Sequence, residues 1–145
     1  MFLGLHNYFL DDDHYLTTPA SFREVMAEGA YVTQGFERNL VIMTEKAFQE
    51  LYERVVAMNI ANPLARLLLR LILGNATRLE TDQAGRILLP NNLIMFAGLE
   101  KKVVLVGQGD YFEVWAPSLW DKQADDLQNT EANTERFAVL DLAAH

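Results

Sequence analysis

The sequence predicts an α+β fold: two β-hairpin repeats with short helices, a buried helix between them and a helix at the C-terminus. Three observations point there. Segments of the two halves match each other in the same order. Both halves alternate short strand-like runs with Asp- and Gly-containing turns. Between them, Pro63 to Leu73 is apolar on nearly every side, as a buried helix is.

The internal match has two blocks. At a constant offset, Asp11 falls on Asp82, Leu16 on Ile87, Pro19 on Pro90 and Phe22 on Leu93, with Gly4 near Gly74. Further on, Gly35 falls on Gly107, Leu40 on Phe112, Ile42 on Val114, Met43 on Trp115 and Phe48 on Trp120. This divides the chain into a first repeat (1–58), a connecting helix (59–73), a second repeat (74–128) and an acidic C-terminal helix or tail (129–145).

Each repeat reads as strand, Asp turn, strand. In the second copy the strands are Thr77 to Thr81 and Arg86 to Leu89, around a turn at Asp82 to Gly85. Asp initiates turns through its side chain, and glycine accepts positive φ. Pro90 ends the strand because it lacks a ladder N–H. A short helix from Asn91 to Phe96 is expected, capped by Asn and stopped at Gly98. A second hairpin follows, Lys102 to Gly107 and Tyr111 to Trp115, turning near Gly109 and Asp110. Its apolar run Val103 to Val106 predicts a strand buried on both faces. The first copy supplies Ala30 to Thr33 and Asn39 to Met43. Helices are expected after both hairpins, at Glu45 to Met58 and at Ser118 to Leu127, the latter capped by Ser118. Asn62 caps the connecting helix, with Pro63 at its first position. A last helix is expected over Thr130 to Ala144, with Phe137 and Leu140 on one side.

Composition narrows the function classes. Cysteine is absent, so disulfides and thiolate metal sites are excluded. The histidines His6, His14 and His145 form no metal-ligand spacing, and no metal or other cofactor is expected. The first ten residues lack the basic and apolar regions of a secretory signal, and no apolar run approaches a membrane span. The expected location is therefore cytoplasmic, with no membrane partner. GQGDYF, from Gly107 to Phe112, is a turn and not a dinucleotide fingerprint. No nucleophile, base and acid set is readable, so no enzyme is expected. The net charge of -8 sits awkwardly with a nucleic-acid partner. Half of that excess falls between Asp121 and His145, where six acids face two bases.

MFLG at the start, NPLARLLLRLILGNA, DQAGRILLP followed by NNL, AGLEKKVVLVGQ and FEVW together resemble the MraZ family, over about residues 1–120. That family belongs to the AbrB-like swapped-hairpin class. The resemblance implies two swapped-hairpin β-barrel repeats per chain, homo-oligomeric rings and binding of double-stranded DNA at upstream direct repeats. It further implies repression of the protein's own division and cell-wall gene cluster, and nucleoid association. The family signature Asp-x-x-x-Arg, with the Arg facing DNA, is intact at Asp82 and Arg86. In the first repeat Asp11 is present, but Tyr15 holds the Arg position. Asp13 and His14 stand where a basic or small turn is usual.

The implied DNA-facing set is Arg86 and Asp82, with Tyr15 and His14 as stacking candidates and Arg78, Lys101 and Lys102 as phosphate contacts. Each also has a plainer reading. Asp82 and Arg86 can close a turn with an ion pair or an Asx bond. Asp11, Asp12 and Asp13 form a solvated turn more readily than a divalent-cation site. Tyr15 and His14 can simply decorate a surface, and single bases such as Arg23 and Arg38 are usually solvated. Arg66 and Arg70 read as interface or ion-pair residues. Phe36, Phe112, Trp115 and Trp120 read as core or interface. Two functions remain in competition: a ring-forming DNA-binding regulator, and a ring-forming interaction protein that has lost most DNA binding. An apolar connecting helix and interleaved hairpins would leave much apolar surface on a lone chain, so a homo-oligomer is expected either way.

Overall fold

Both halves open with a strand, an Asp turn and a second strand in the computed structural model, which describes residues 1–140. The first half comprises β1 (Leu5–Phe9), β2 (Tyr15–Thr17), α1 (Ala20–Val25), β3 (Ala30–Gln34), β4 (Leu40–Thr44), α2 (Glu45–Val56) and α3 (Pro63–Ile72). The second comprises β5 (Thr77–Leu79), β6 (Arg86–Leu88), α4 (Asn91–Ala97), β7 (Lys102–Gly107), β8 (Tyr111–Trp115), α5 (Pro117–Leu127) and α6 (Thr130–Phe137). A 3-10 turn, Ala138–Leu140, follows α6.

The strands exchange between repeats. One antiparallel sheet has the order β1-β7-β8-β4-β3-β5, so the opening strand of each repeat lies against the hairpin of the other. The two hairpins meet at the β4/β8 seam, where Ile42 faces Phe112. A separate ribbon joins β2 to β6, pairing Tyr15 with Leu88, Leu16 with Ile87 and Thr17 with Arg86. The swapped arrangement is therefore completed within a single chain, and exposed hairpins supply no reason to oligomerise. The opening units are not closed hairpins either. Within each repeat only one bridge links their arms, Leu10 with Leu16 and Thr81 with Ile87.

Strand alternation explains the core. In the ribbon, Leu16 and Ile87 point inward and are fully buried. Val103, Val104 and Leu105 of β7 are all buried, because β1 and β8 flank that strand in the sheet's interior. Phe2, Phe22 and Phe112 meet at centroid separations of 4.8–5.0 Å, joining the N-terminus, α1 and β8. Burying each such ring stabilises the fold by roughly 2–3 kcal/mol. At the seam, the Asn39 amide donates to the Glu113 carboxylate at 2.8 Å. Burial pushes the Glu113 carboxyl above its ordinary value, and hydrogen bonds from Trp115, Asn39 and Gln108 oppose that shift.

Several sequence expectations need correction. The connecting helix α3 is not buried in the chain: Ala65 and Ile72 face inward, while Leu64 and Leu67 are 72% and 61% exposed. Its cap is as expected, with Asn62 accepting from the Leu64 N–H at 2.9 Å. Arg66 and Arg70 make no ion pair among the described residues; Arg66 donates to the carbonyls of Ile60 and Ala61 instead. Asn91 does not cap α4, because Pro90 holds that position and is already extended, while Gly98 ends the helix at φ 63° as expected. Ser118 does not cap α5 either: Pro117 starts the helix and Ala116 holds the cap. Phe36 is 77% exposed at its hairpin tip, whereas Phe112 and Trp115 are core. The expected last helix ends at Phe137, and its stretch from 141 onward lies outside the described residues.

Candidate nucleic-acid interface

The β2/β6 ribbon carries the two Asp turns at its ends. In the second, one Asp82 carboxylate oxygen accepts the N–H groups of Ala84 and Arg86 at 2.9 and 2.8 Å. Asp11 repeats this, accepting from Asp13 and Tyr15 at 2.9 Å each. The backbone then crosses into positive φ, at Gly85 (77°) and at His14 (71°). A side chain on Gly85 would also strike Arg23, which lies across the turn and donates from Nε to the Thr18 carbonyl at 3.2 Å.

With Leu16 and Ile87 turned inward, the ribbon's open face holds Tyr15, Thr17, Arg86 and Leu88. Arg86 dominates it. Its Nε donates to Asp82 at 3.0 Å, and another guanidinium nitrogen lies 3.5 Å from Asp11. The guanidinium also stacks 4.6 Å above the Tyr15 ring, its diagonal cross-strand neighbour. The side chain remains 40% exposed. The Arg86 backbone N–H, above all, holds the Asp82 carboxyl below its ordinary value; the guanidinium and the Ala84 N–H act the same way.

Two open clefts flank the ribbon. One is lined by Asp11, Asp12, His14, Lys101 and Lys102. The other is lined by His14, Tyr15, Arg78, Asp82 and Leu88. The structure thus brings all seven sequence-implied residues to the ribbon or its rims, though not in equivalent states. Lys101 and Lys102 are exposed. Arg78 is engaged by Glu80 at 2.7 Å and Glu45 at 3.4 Å, and its pKa is raised, first by Glu80 and then by Glu45. Among the described residues no group of His, Asp or Glu is placed to hold a metal ion.

Sequence reasoning missed Asp11 as a partner of Arg86 and Arg23 as a brace on the second turn. The repeat aligned Asp11 with Asp82 but gave no sign that β2 and β6 would pair. The acids of α6 line neither cleft among the described residues.

The family model described as MraZ protein matches this chain twice, over residues 1–71 and 72–141. The chain belongs to the MraZ family. The MraZ model's two matches coincide with the two strand-exchanged repeats. Curated MraZ relatives align over nearly their full length. The transcriptional regulator MraZ of Thermomicrobium roseum is 39% identical over 88% of this chain and 89% of its own. The proteins of the same description from Roseiflexus castenholzii and Herpetosiphon aurantiacus are 36% and 37% identical, over 95% and 96% of this chain and 94% and 100% of their own. No helix among the described residues is long and apolar enough to cross a membrane.

Proposed function

We propose that this MraZ-family chain is a DNA-binding transcriptional regulator that acts as a ring-shaped homo-oligomer, nucleoid-associated in the cytoplasm, and represses its own division and cell-wall gene cluster through upstream direct repeats. The open face of the β2/β6 ribbon, with Arg86 at its centre, carries this reading. A two-stranded ribbon fits the major groove of B-DNA. There Arg86 would exchange Asp11 and Asp82 for a guanine edge or a phosphate, with Asp82 holding the turn in shape. Lys101 and Lys102 stand where the flanking backbone would pass, and Tyr15 and His14 offer rings to sugars or bases.

The acidic balance makes each ribbon a weak binder, since affinity for phosphate grows with the number of free cations. A ring offsets this by presenting several ribbons to one DNA at high effective concentration. The decisive experiment is titration of upstream DNA across a salt series, with Arg86→Ala in parallel. Wild-type binding should weaken steeply with salt, and the variant should lose roughly 1–3 kcal/mol of sequence discrimination. Equal binding by both proteins would remove Arg86 from the interface.

One observation favours a second reading, a ring-forming interaction protein that has lost most DNA binding. Arg86 and Arg78 are each engaged by two carboxylates, which compete with phosphate for the same cations. Absence of binding even at low salt, from a protein that still assembles, would select it.

A further inference from the structure

α3 and the α5/α6 pair are opposite in character, and each leaves apolar surface without a cover. The outer side of α3 presents Leu64 and Leu67 to solvent. Ile60 extends the strip, 66% exposed, in the loop whose carbonyl Arg66 holds. Its only charges are Arg66 and Arg70, one turn apart beside Leu67, and neither meets a carboxylate among the described residues. α5 and α6 carry five acids against two bases. One of those bases, Arg136, is spent on Asp126 at 2.7 Å, fastening α6 to α5. The same pair exposes Leu127, Phe137 and, just beyond, Leu140.

We infer that α3 of one copy docks on the α5/α6 pair of the next, a head-to-tail interface in which Leu64 and Leu67 meet Leu127 and Phe137 while Arg66 and Arg70 face the acids. The occupant of each face is a second copy of this chain, because each face supplies what the other lacks: apolar against apolar, and cation against carboxylate. An α3-to-α3 contact would instead oppose four arginines, and an α5/α6 self-contact would oppose ten acids. Two unlike faces on one chain make a heterologous contact, which closes into a ring when its rotation permits. The inference deepens the ring reading proposed above by naming the surfaces that join the subunits. It does not require DNA binding.

The test uses two full-length variants, each with one face disabled: Leu64→Asp/Leu67→Asp and Leu127→Asp/Phe137→Asp. All four positions are exposed in the chain, so both variants should keep wild-type circular dichroism. Light scattering at micromolar concentration should find the wild type assembled and each variant monomeric. An equimolar mixture should form one-to-one dimers and stop there, because each variant keeps one working face and only one complementary pair survives. Arg66→Glu/Arg70→Glu is the second arm, leaving the leucines in place; it should lower the assembled mass at equal concentration. A monomeric wild type, wild-type mass from either double-aspartate variant, or folded monomers that fail to pair would each overturn the inference. Loss of DNA binding from a protein of normal assembled mass would sink the regulator reading and leave this interface standing.

Discussion

The turns at Asp11 and Asp82 are built alike and furnished differently. Both use one carboxylate oxygen to collect the N–H groups two and four residues ahead, and both pass through a positive-φ residue before the strand begins. The second turn then offers Arg86, and the first offers Tyr15 after three consecutive carboxylates. Backbone shape therefore depends on the Asp, and charge on the residue four positions later. A repeat can lose its cation without losing its turn. Arg86 leans across the ribbon onto Tyr15 and Asp11, so the two turns work as one surface with a single central cation.

The largest expected effect tests whether the turns share one foundation. Leu16 and Ile87 are cross-strand partners with no exposed surface. Leu16→Ala and Ile87→Ala should each cost roughly 2–5 kcal/mol, read from denaturant unfolding. The pair should also couple in a double-mutant cycle, as contacting residues do. A cost near zero for one alone would mean that the ribbon does not join the repeats. Next comes restoring symmetry. Tyr15→Arg gives the first turn the second turn's cation and should tighten DNA binding, steepening the salt dependence by about 0.9 per added phosphate contact. An unchanged slope would mean that the first turn does not reach the backbone of the DNA.

These residues also mark how far the sequence alone could be read. The two-repeat α+β organisation, the β7/β8 hairpin and the Asp82 turn were legible, because strand alternation, Asp side chains and glycine act over a few neighbouring residues. Pairing of β2 with β6 was not. Each is three residues long, and no local pattern states which distant strand it meets. Hence the contact of Arg86 in the second repeat with Asp11 in the first was invisible. The same limit explains α3. Its apolar residues predicted burial, but the sequence does not say which of them the chain itself covers, and Leu64 and Leu67 stay exposed.

A smaller effect separates the turns at their positive-φ positions. Gly85→Ala should destabilise by about 1–2 kcal/mol from the left-handed backbone alone, with more from the clash against Arg23. His14→Gly, at nearly the same φ, should not destabilise the fold. Relief of strain there is offset in part by the entropy glycine loses on folding, about 0.5–1 kcal/mol. Thermal unfolding of the two variants checks the asymmetry. Equal losses from both would mean that the His14 side chain holds its turn through contacts that glycine lacks.

The smallest expected effect is the acid response of the second turn. Asp82 is held below its ordinary value of 3.8, chiefly by the Arg86 backbone N–H. A carboxyl with a lowered folded-state pKa binds protons more weakly in the fold than in the unfolded chain. Its contribution to stability is therefore complete above the ordinary value and is lost as the pH falls through the lower one. Asp82→Asn keeps an oxygen to accept the two N–H groups but has no proton to gain. Denaturant midpoints taken between about pH 5 and pH 2 should fall less steeply for this variant than for the wild type. Parallel curves would mean that the turn needs only an acceptor at this position.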